Sequence, residues 1–140
     1  MTILDTNVVS EVMASSPSDA ALAWLARVRA ADELFITAIT VGEILYGIEL
    51  LPPGKRRDRL NLDAEGMFTE DYAARILAFD ERAARAFAEI AALRRKMGRP
   101  ITELDAQIAA IASVHGATLA TRNTADFEGC GIGLVNPWVD

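Results

Sequence analysis

Short runs of β-forming and apolar residues alternate with amphipathic stretches along the chain, and this predicts strands and helices in turn. Residues 2–4 (TIL) form such a run, ending abruptly at Asp5 as a buried central strand of a parallel sheet does. Thr6 or Asn7 can cap a following short helix, NVVSEVM, before the breakers of residues 14–18. Ser16, Pro17 and Asp19 stand at the cap, N1 and N3 positions of a second helix running past Trp24 and Leu25 to about Ala30. LFIT (34–37) reads as the second strand. Thr40 opens a helix, TVGEILYGIELL, stopped by Pro52, Pro53 and Gly54. Lys55 to Glu65 is a polar helical segment, and RILAF (75–79) a third strand. Asp80 to Met97 is a long helix with Ala83, Phe87, Ile90 and Leu93/Arg94 near helical spacing and Gly98 as its C′ residue. After Pro100, a helix from Thr102 leads to a fourth strand, ATLAT (117–121), and a fifth, IGLV (132–135).

This order implies an α/β fold with a mainly parallel sheet and right-handed crossovers, one domain spanning residues 1–140. Parallel strands end on one edge, so Asp5 and the TRNTAD segment after the fourth strand can meet there. A hydrophobic content of 51% over 140 residues furnishes a sizeable core. With one cysteine, Cys130, no internal disulfide can form, and a reducing compartment is the simpler setting. The first ten residues lack a basic segment of the signal-peptide kind, and no run approaches the roughly 20 apolar residues of a membrane helix; a cytoplasmic protein is expected.

A net charge of −6 argues against nucleic acid until its distribution is considered. Eight of the 14 basic residues fall in two clusters, Lys55, Arg56, Arg57, Arg59 and Arg94, Arg95, Lys96, Arg99. Basic strips beside an acidic cleft are compatible with an acidic chain, although for a charge run taken alone a solvated helix face is the simpler reading.

Four acids carry candidate chemistry. Asp5, ending a buried strand, is desolvated unless a cation or cap offsets its charge. Glu43 and Asp105 have plain structural roles in the capping boxes Thr40-x-x-Glu43 and Thr102-x-x-Asp105. Each nonetheless precedes small or apolar residues at i+3, i+4 and i+7: Tyr46, Gly47 and Leu50, and Ile108, Ala109 and Ala112. Both acids thus align with a face that their helix is expected to bury, and Gly47 and Ala109 would permit close helix approach. Asp126, with Asn123, lies in a polar turn where an Asx-turn suffices. Arg122 could pair with an acid or touch a phosphate. His115 reads as a helix C-terminal residue, Trp24 and Trp138 as core, and Cys130 as non-catalytic.

Four carboxylates in one cleft would repel one another and need a compensating cation. Hard oxygen ligands suit Mg²⁺ or Mn²⁺, whereas one His and one Cys cannot build a zinc or iron–sulfur site. Because Mg²⁺ keeps several waters, Asp5 and Asp105 are expected as direct ligands, with Glu43 and Asp126 partly through water. Such a site serves phosphodiester hydrolysis. A phosphatase would want a second Asp where Asn7 stands, and a receiver-like domain an acidic pair with a late lysine. A non-catalytic module that binds RNA or a protein partner is the remaining alternative.

The segments ILDTNVVSE, TVGEILYGIE and TELDAQIAAIASVHGATLATRNTADFEGCGIGLVNPW together resemble PIN-domain ribonucleases, specifically VapC-like toxins close to the FitB type. The resemblance implies a three-layer α/β/α PIN fold with a five-stranded sheet and a Mg²⁺- or Mn²⁺-dependent endoribonuclease. The family's first three acids fall on Asp5, Glu43 and Asp105, Asn123 and Asp126 share the fourth position, and Thr6 matches a residue that supports the metal. It further implies an RNA substrate, a homodimer, and a cognate antitoxin whose C-terminal segment covers the groove.

Overall fold

The computed structural model describes residues 1–140. Five short strands, β1 (Thr2–Leu4), β2 (Leu34–Thr37), β3 (Ile76–Leu77), β4 (Thr118–Ala120) and β5 (Gly133–Val135), form an all-parallel sheet in the order β3-β2-β1-β4-β5. Seven helices complete the chain: α1 (Thr6–Met13), α2 (Asp19–Ala31), α3 (Ala38–Glu49), α4 (Lys55–Gly66), α5 (Glu81–Lys96), α6 (Glu103–His115) and α7 (Thr124–Phe127). Successive strand residues point to opposite faces, and the core divides accordingly. Ile3 and Leu119 join Ile90, Ile108, Ile111 and Phe127 under α5 and α6. Leu4 and Ala120 join Val8, Val9, Trp24, Leu25, Ile44 and Ile48 under α1, α2 and α3. The result is the expected three-layer α/β/α sandwich. No helix is long and apolar enough to cross a membrane.

From central β1 the chain builds outward through β2 and β3, then returns to add β4 and β5 on the other side. The order therefore reverses between β1 and β4, and a crevice opens at the carboxyl ends of these two strands. Asp5 and Thr121 are the residues that leave those ends.

Several boundaries differ from expectation, and side-chain caps explain the differences. Asp5, rather than Thr6 or Asn7, caps α1, its carboxylate accepting from Thr6 N at 2.9 Å. Ser18, rather than Ser16, caps α2 and places Pro17 before the helix. Thr37 caps α3, accepting from Thr40 N at 3.1 Å, so the helix starts before Thr40 and no capping box holds Glu43. The Thr102 cap is as expected. The third strand shrinks to two residues at the sheet edge, while a π-helical turn (Met67–Asp71) after α4 and the short α7 were not anticipated. The apolar face expected on α3 is also reassigned. Tyr46 and Leu50 are exposed and Gly47 faces open space, whereas Thr40, Ile44 and Ile48 are buried. On α6 the expectation stands: Ile108, Ala109 and Ala112 are fully enclosed.

Candidate functional site

Asp5 is buried because β1 delivers it to the centre of the sheet edge, and α1 starts immediately beyond it. Three donors converge on its carboxylate: Thr6 N on Oδ1 at 2.9 Å, and Thr121 Oγ1 and Asn7 Nδ2 on Oδ2 at 2.7 and 3.2 Å. Thr121 Oγ1 also accepts from Asn7 Nδ2 and Asn123 N, and Asn7 Oδ1 accepts from Arg122 N. The turn after β4 is thereby tied to the start of α1 across the crevice. Burial still lifts the Asp5 carboxyl to about 6 against the pull of these hydrogen bonds, and Asp105 and Glu43 add repulsion in the same direction.

On the β2 side, the buried Thr37 and Thr40 and the partly buried Thr6 form a hydroxyl relay. Thr37 Oγ1 donates to Thr40 Oγ1 at 3.5 Å, Thr40 and Thr6 hydroxyls lie 2.9 Å apart, and Thr6 Oγ1 donates to Glu43 Oε1 at 2.8 Å. Because Thr6 spends its hydrogen on Glu43, Thr40 must be the donor to Thr6. Glu43 is thus oriented by two elements besides its own helix. Asp105, in the first turn of α6, is half-buried. Its carboxyl is raised chiefly by burial, with Asp126 adding repulsion and Thr102 and Arg94 opposing it. Asp126 is exposed on α7, and the Asn123 side chain makes no hydrogen bond within the chain.

These groups line one cleft of about 490 Å³: Asp5, Thr6, Glu43, Asp105, Asn123 and Asp126, with Asn7, Ser10, Glu11 and Phe127. All six site residues anticipated from the sequence are therefore together. The acids face one hollow without three of them closing on a point as a ready-made cage. That arrangement fits a cation that keeps most of its own waters and takes one or two carboxylates directly. The donor set is oxygen throughout; His115 is exposed at the far end of α6 and Cys130 is buried against Arg94. The chemistry of the residues thus suits Mg²⁺ or Mn²⁺ and no softer ion.

Residues 2–129 match the family described as PIN domain. The chain belongs to the PIN-domain family. Within it, this PIN domain falls among the VapC- and FitB-type toxins. It is 40% identical over 138 residues to VapC ribonuclease Y4jK of Sinorhizobium fredii, covering 99% of this chain and 98% of that one. It is 37% identical over 140 residues to Toxin FitB of Neisseria gonorrhoeae, covering all of both. The crystal structure of FitAcB from Neisseria gonorrhoeae superimposes with a TM-score of 0.91 at 36% identity, again over the full length of both chains.

The PIN domain also uses residues to which the sequence reading assigned no site role. Thr121 and Asn7 hold Asp5, and Thr40 holds Thr6. The signal was a short hydroxyl or amide residue beside each acid, which local capping explained too readily. Arg122 pairs with no acid: its guanidinium stacks 5.0 Å from the centroid of the Trp138 ring. The second basic cluster is not a continuous solvated face, because Arg94 is buried and Arg99 pairs with Glu128 at 3.4 Å.

Proposed function

We propose that this PIN domain is a divalent-metal-dependent endoribonuclease and the toxin of a toxin–antitoxin pair. The observation that carries the reading is the cleft itself, which Asp5, Glu43, Asp105 and Asp126 all line at the switch point of the sheet. Relatives named as a ribonuclease and a toxin, at 37–40% identity over the whole chain, support it. Asp5 and Asp105 would hold Mg²⁺ or Mn²⁺ directly, with Glu43 and Asp126 partly through water. Bound there, the ion would offset the four carboxylates and supply the charge stabilisation needed for water to attack a phosphodiester.

The chain's own groups do the rest. Thr121, Asn7 and Thr6 N keep the Asp5 oxygens fixed, so that little reorganisation accompanies binding. Glu43, held by Thr6, presents its free oxygen to the cleft as an acceptor that can orient a water. The unpartnered Asn123 amide lines the cleft and can donate to a phosphate oxygen. Arg56 and Arg59, exposed on α4 beside the groove that adjoins Glu43, are the basic residues best placed for the RNA backbone. A cognate antitoxin and a second copy of the chain are the partners that family membership suggests, and the cytoplasm the expected location.

Purified protein with Mg²⁺ is expected to cut RNA, to stop in EDTA, and to resume when Mg²⁺ or Mn²⁺ is added back. Gel analysis of a defined transcript reads this, and cutting that persists in EDTA would defeat the proposal. Thr6→Val deletes the donor to Glu43 and interrupts the hydroxyl relay. Its kcat should fall about tenfold with a much smaller change in KM, measured by steady-state cleavage of a fluorogenic oligonucleotide.

A further inference from the structure

Asp5 and Arg94 are the two charged side chains buried in this molecule. Asp5 is accounted for by the cleft, and Arg94 needs its own explanation. It continues the buried stripe of α5 through Ala83, Phe87 and Ile90, a position that the periodicity reserves for an apolar side chain, while neighbouring Leu93 is exposed. No carboxylate pairs with it, although burying a guanidinium carries a heavy desolvation penalty.

Its hydrogen bonds go to two backbone carbonyls. Nε donates to Arg99 O at 2.7 Å and Nη1 to Asp126 O at 2.7 Å, with Cys130 Sγ at 3.5 Å from Nη1. Arg99 lies in the linker that leads through the Thr102 cap to Asp105, and Asp126 lies in α7. The remaining nitrogen, Nη2, has no protein partner. Since no enclosed polar side-chain atom lacks a partner, Nη2 must open to solvent. A hollow of about 120 Å³ is lined by Arg94, Pro100, Ile101, Thr102, Asp105 and Asp126. The turn after α7 is pressed against the same end of α5. At Gly129, φ is +81° and a Cβ would sit 2.9 Å from Met97 Cε.

We infer that Arg94 is a positioning residue of the acid cleft: one guanidinium joins the α5–α6 linker to α7 and so sets Asp105 and Asp126 relative to each other. This rests on the cleft being a divalent-cation site. The planar fork of arginine suits the task, because two carbonyls on separate segments need donors in fixed mutual geometry. A lysine could reach one carbonyl at a time.

The test uses the full chain, metal-free, with Mn²⁺ affinity measured by calorimetry and electron paramagnetic resonance. Arg94→Met, where folded by circular dichroism, should bind Mn²⁺ about tenfold or more weakly, Arg94→Lys should fall between it and the parent, and the exposed-site control Arg95→Met should match the parent. Amide exchange at Asp126 and Cys130 should quicken in Arg94→Met before any metal is added, and RNA cleavage should lose kcat rather than gain KM. Should Arg94→Met fail to fold, Arg94→Lys carries the comparison. Mn²⁺ affinity within twofold of the parent in the folded variant overturns the positioning role alone. A parent that binds no Mn²⁺ overturns the cation-site reading and the inference with it.

Discussion

Asp5→Asn should lower RNA cleavage at saturating Mg²⁺ by roughly a thousandfold or more, while making the metal-free protein more stable at neutral pH. The first effect follows from removing a direct ligand and the anionic charge that would hold the cation, a loss of about 4 kcal/mol of transition-state stabilisation. The second follows from burial. The carboxyl titrates near 3.8 when exposed and at about 6 in the fold. A raised acid favours the folded state fully below pH 3.8 and loses that contribution as pH rises through 6. At pH 7.5 the buried anion therefore weighs against folding by up to about 3 kcal/mol, which the neutral amide escapes in part. Chemical denaturation in EDTA should find the variant gaining on the parent from pH 4 upward and ahead of it at pH 7.5. Mg²⁺ should narrow the gap by stabilising the parent alone. An unchanged cleavage rate, or a variant less stable than the parent at pH 7.5, would contradict the account.

Thr121→Val should be the most damaging change that leaves all four acids in place. Its hydroxyl donates the shortest hydrogen bond made to Asp5, 2.7 Å, and accepts from Asn7 Nδ2 and Asn123 N. Valine keeps the shape and removes all three connections. A hydrogen bond to a charged group contributes about 1.5–3 kcal/mol, so stability at pH 7.5 should fall by about that much, read as a lower denaturation midpoint at unchanged slope. The Asp5 carboxyl should move further up, because Thr121 is the largest influence holding it down. The acid limb of the pH–rate profile should shift upward with it, and cleavage at neutral pH should drop by about a hundredfold at the upper end. Loss of activity with an unmoved acid limb would place Thr121 outside the control of Asp5.

The two predictions concern one residue that was legible in the sequence and one that was not. Asp5 announces itself: a run of β-forming residues that stops at a carboxylate has few explanations. Thr121 ends an equally readable strand, yet a hydroxyl there is compatible with a turn, a cap or nothing at all. Arg94 was misplaced for a related reason. The sequence Arg94-Arg95-Lys96 looks like one solvated cluster, and helical phase alone assigns its first member to either side of the boundary with Leu93. Glu43 reached the cleft although the capping box proposed for it does not exist. It lies between the buried face bearing Ile44 and Ile48 and the exposed one bearing Tyr46, where a long side chain can turn back to Thr6.

Periodicity and turn residues were enough to determine the order of the five strands and of the helices α1 to α6, and to single out four acids as candidates, because each of these is encoded within a turn or a strand of the chain. The depth of Asp5, the relay from Thr37 to Glu43, the buried guanidinium of Arg94 and the spacing of the carboxylates were decided only when segments more than thirty residues apart packed together. Burial and hydrogen bonding depend on what lies opposite a side chain, and local sequence does not specify that neighbour.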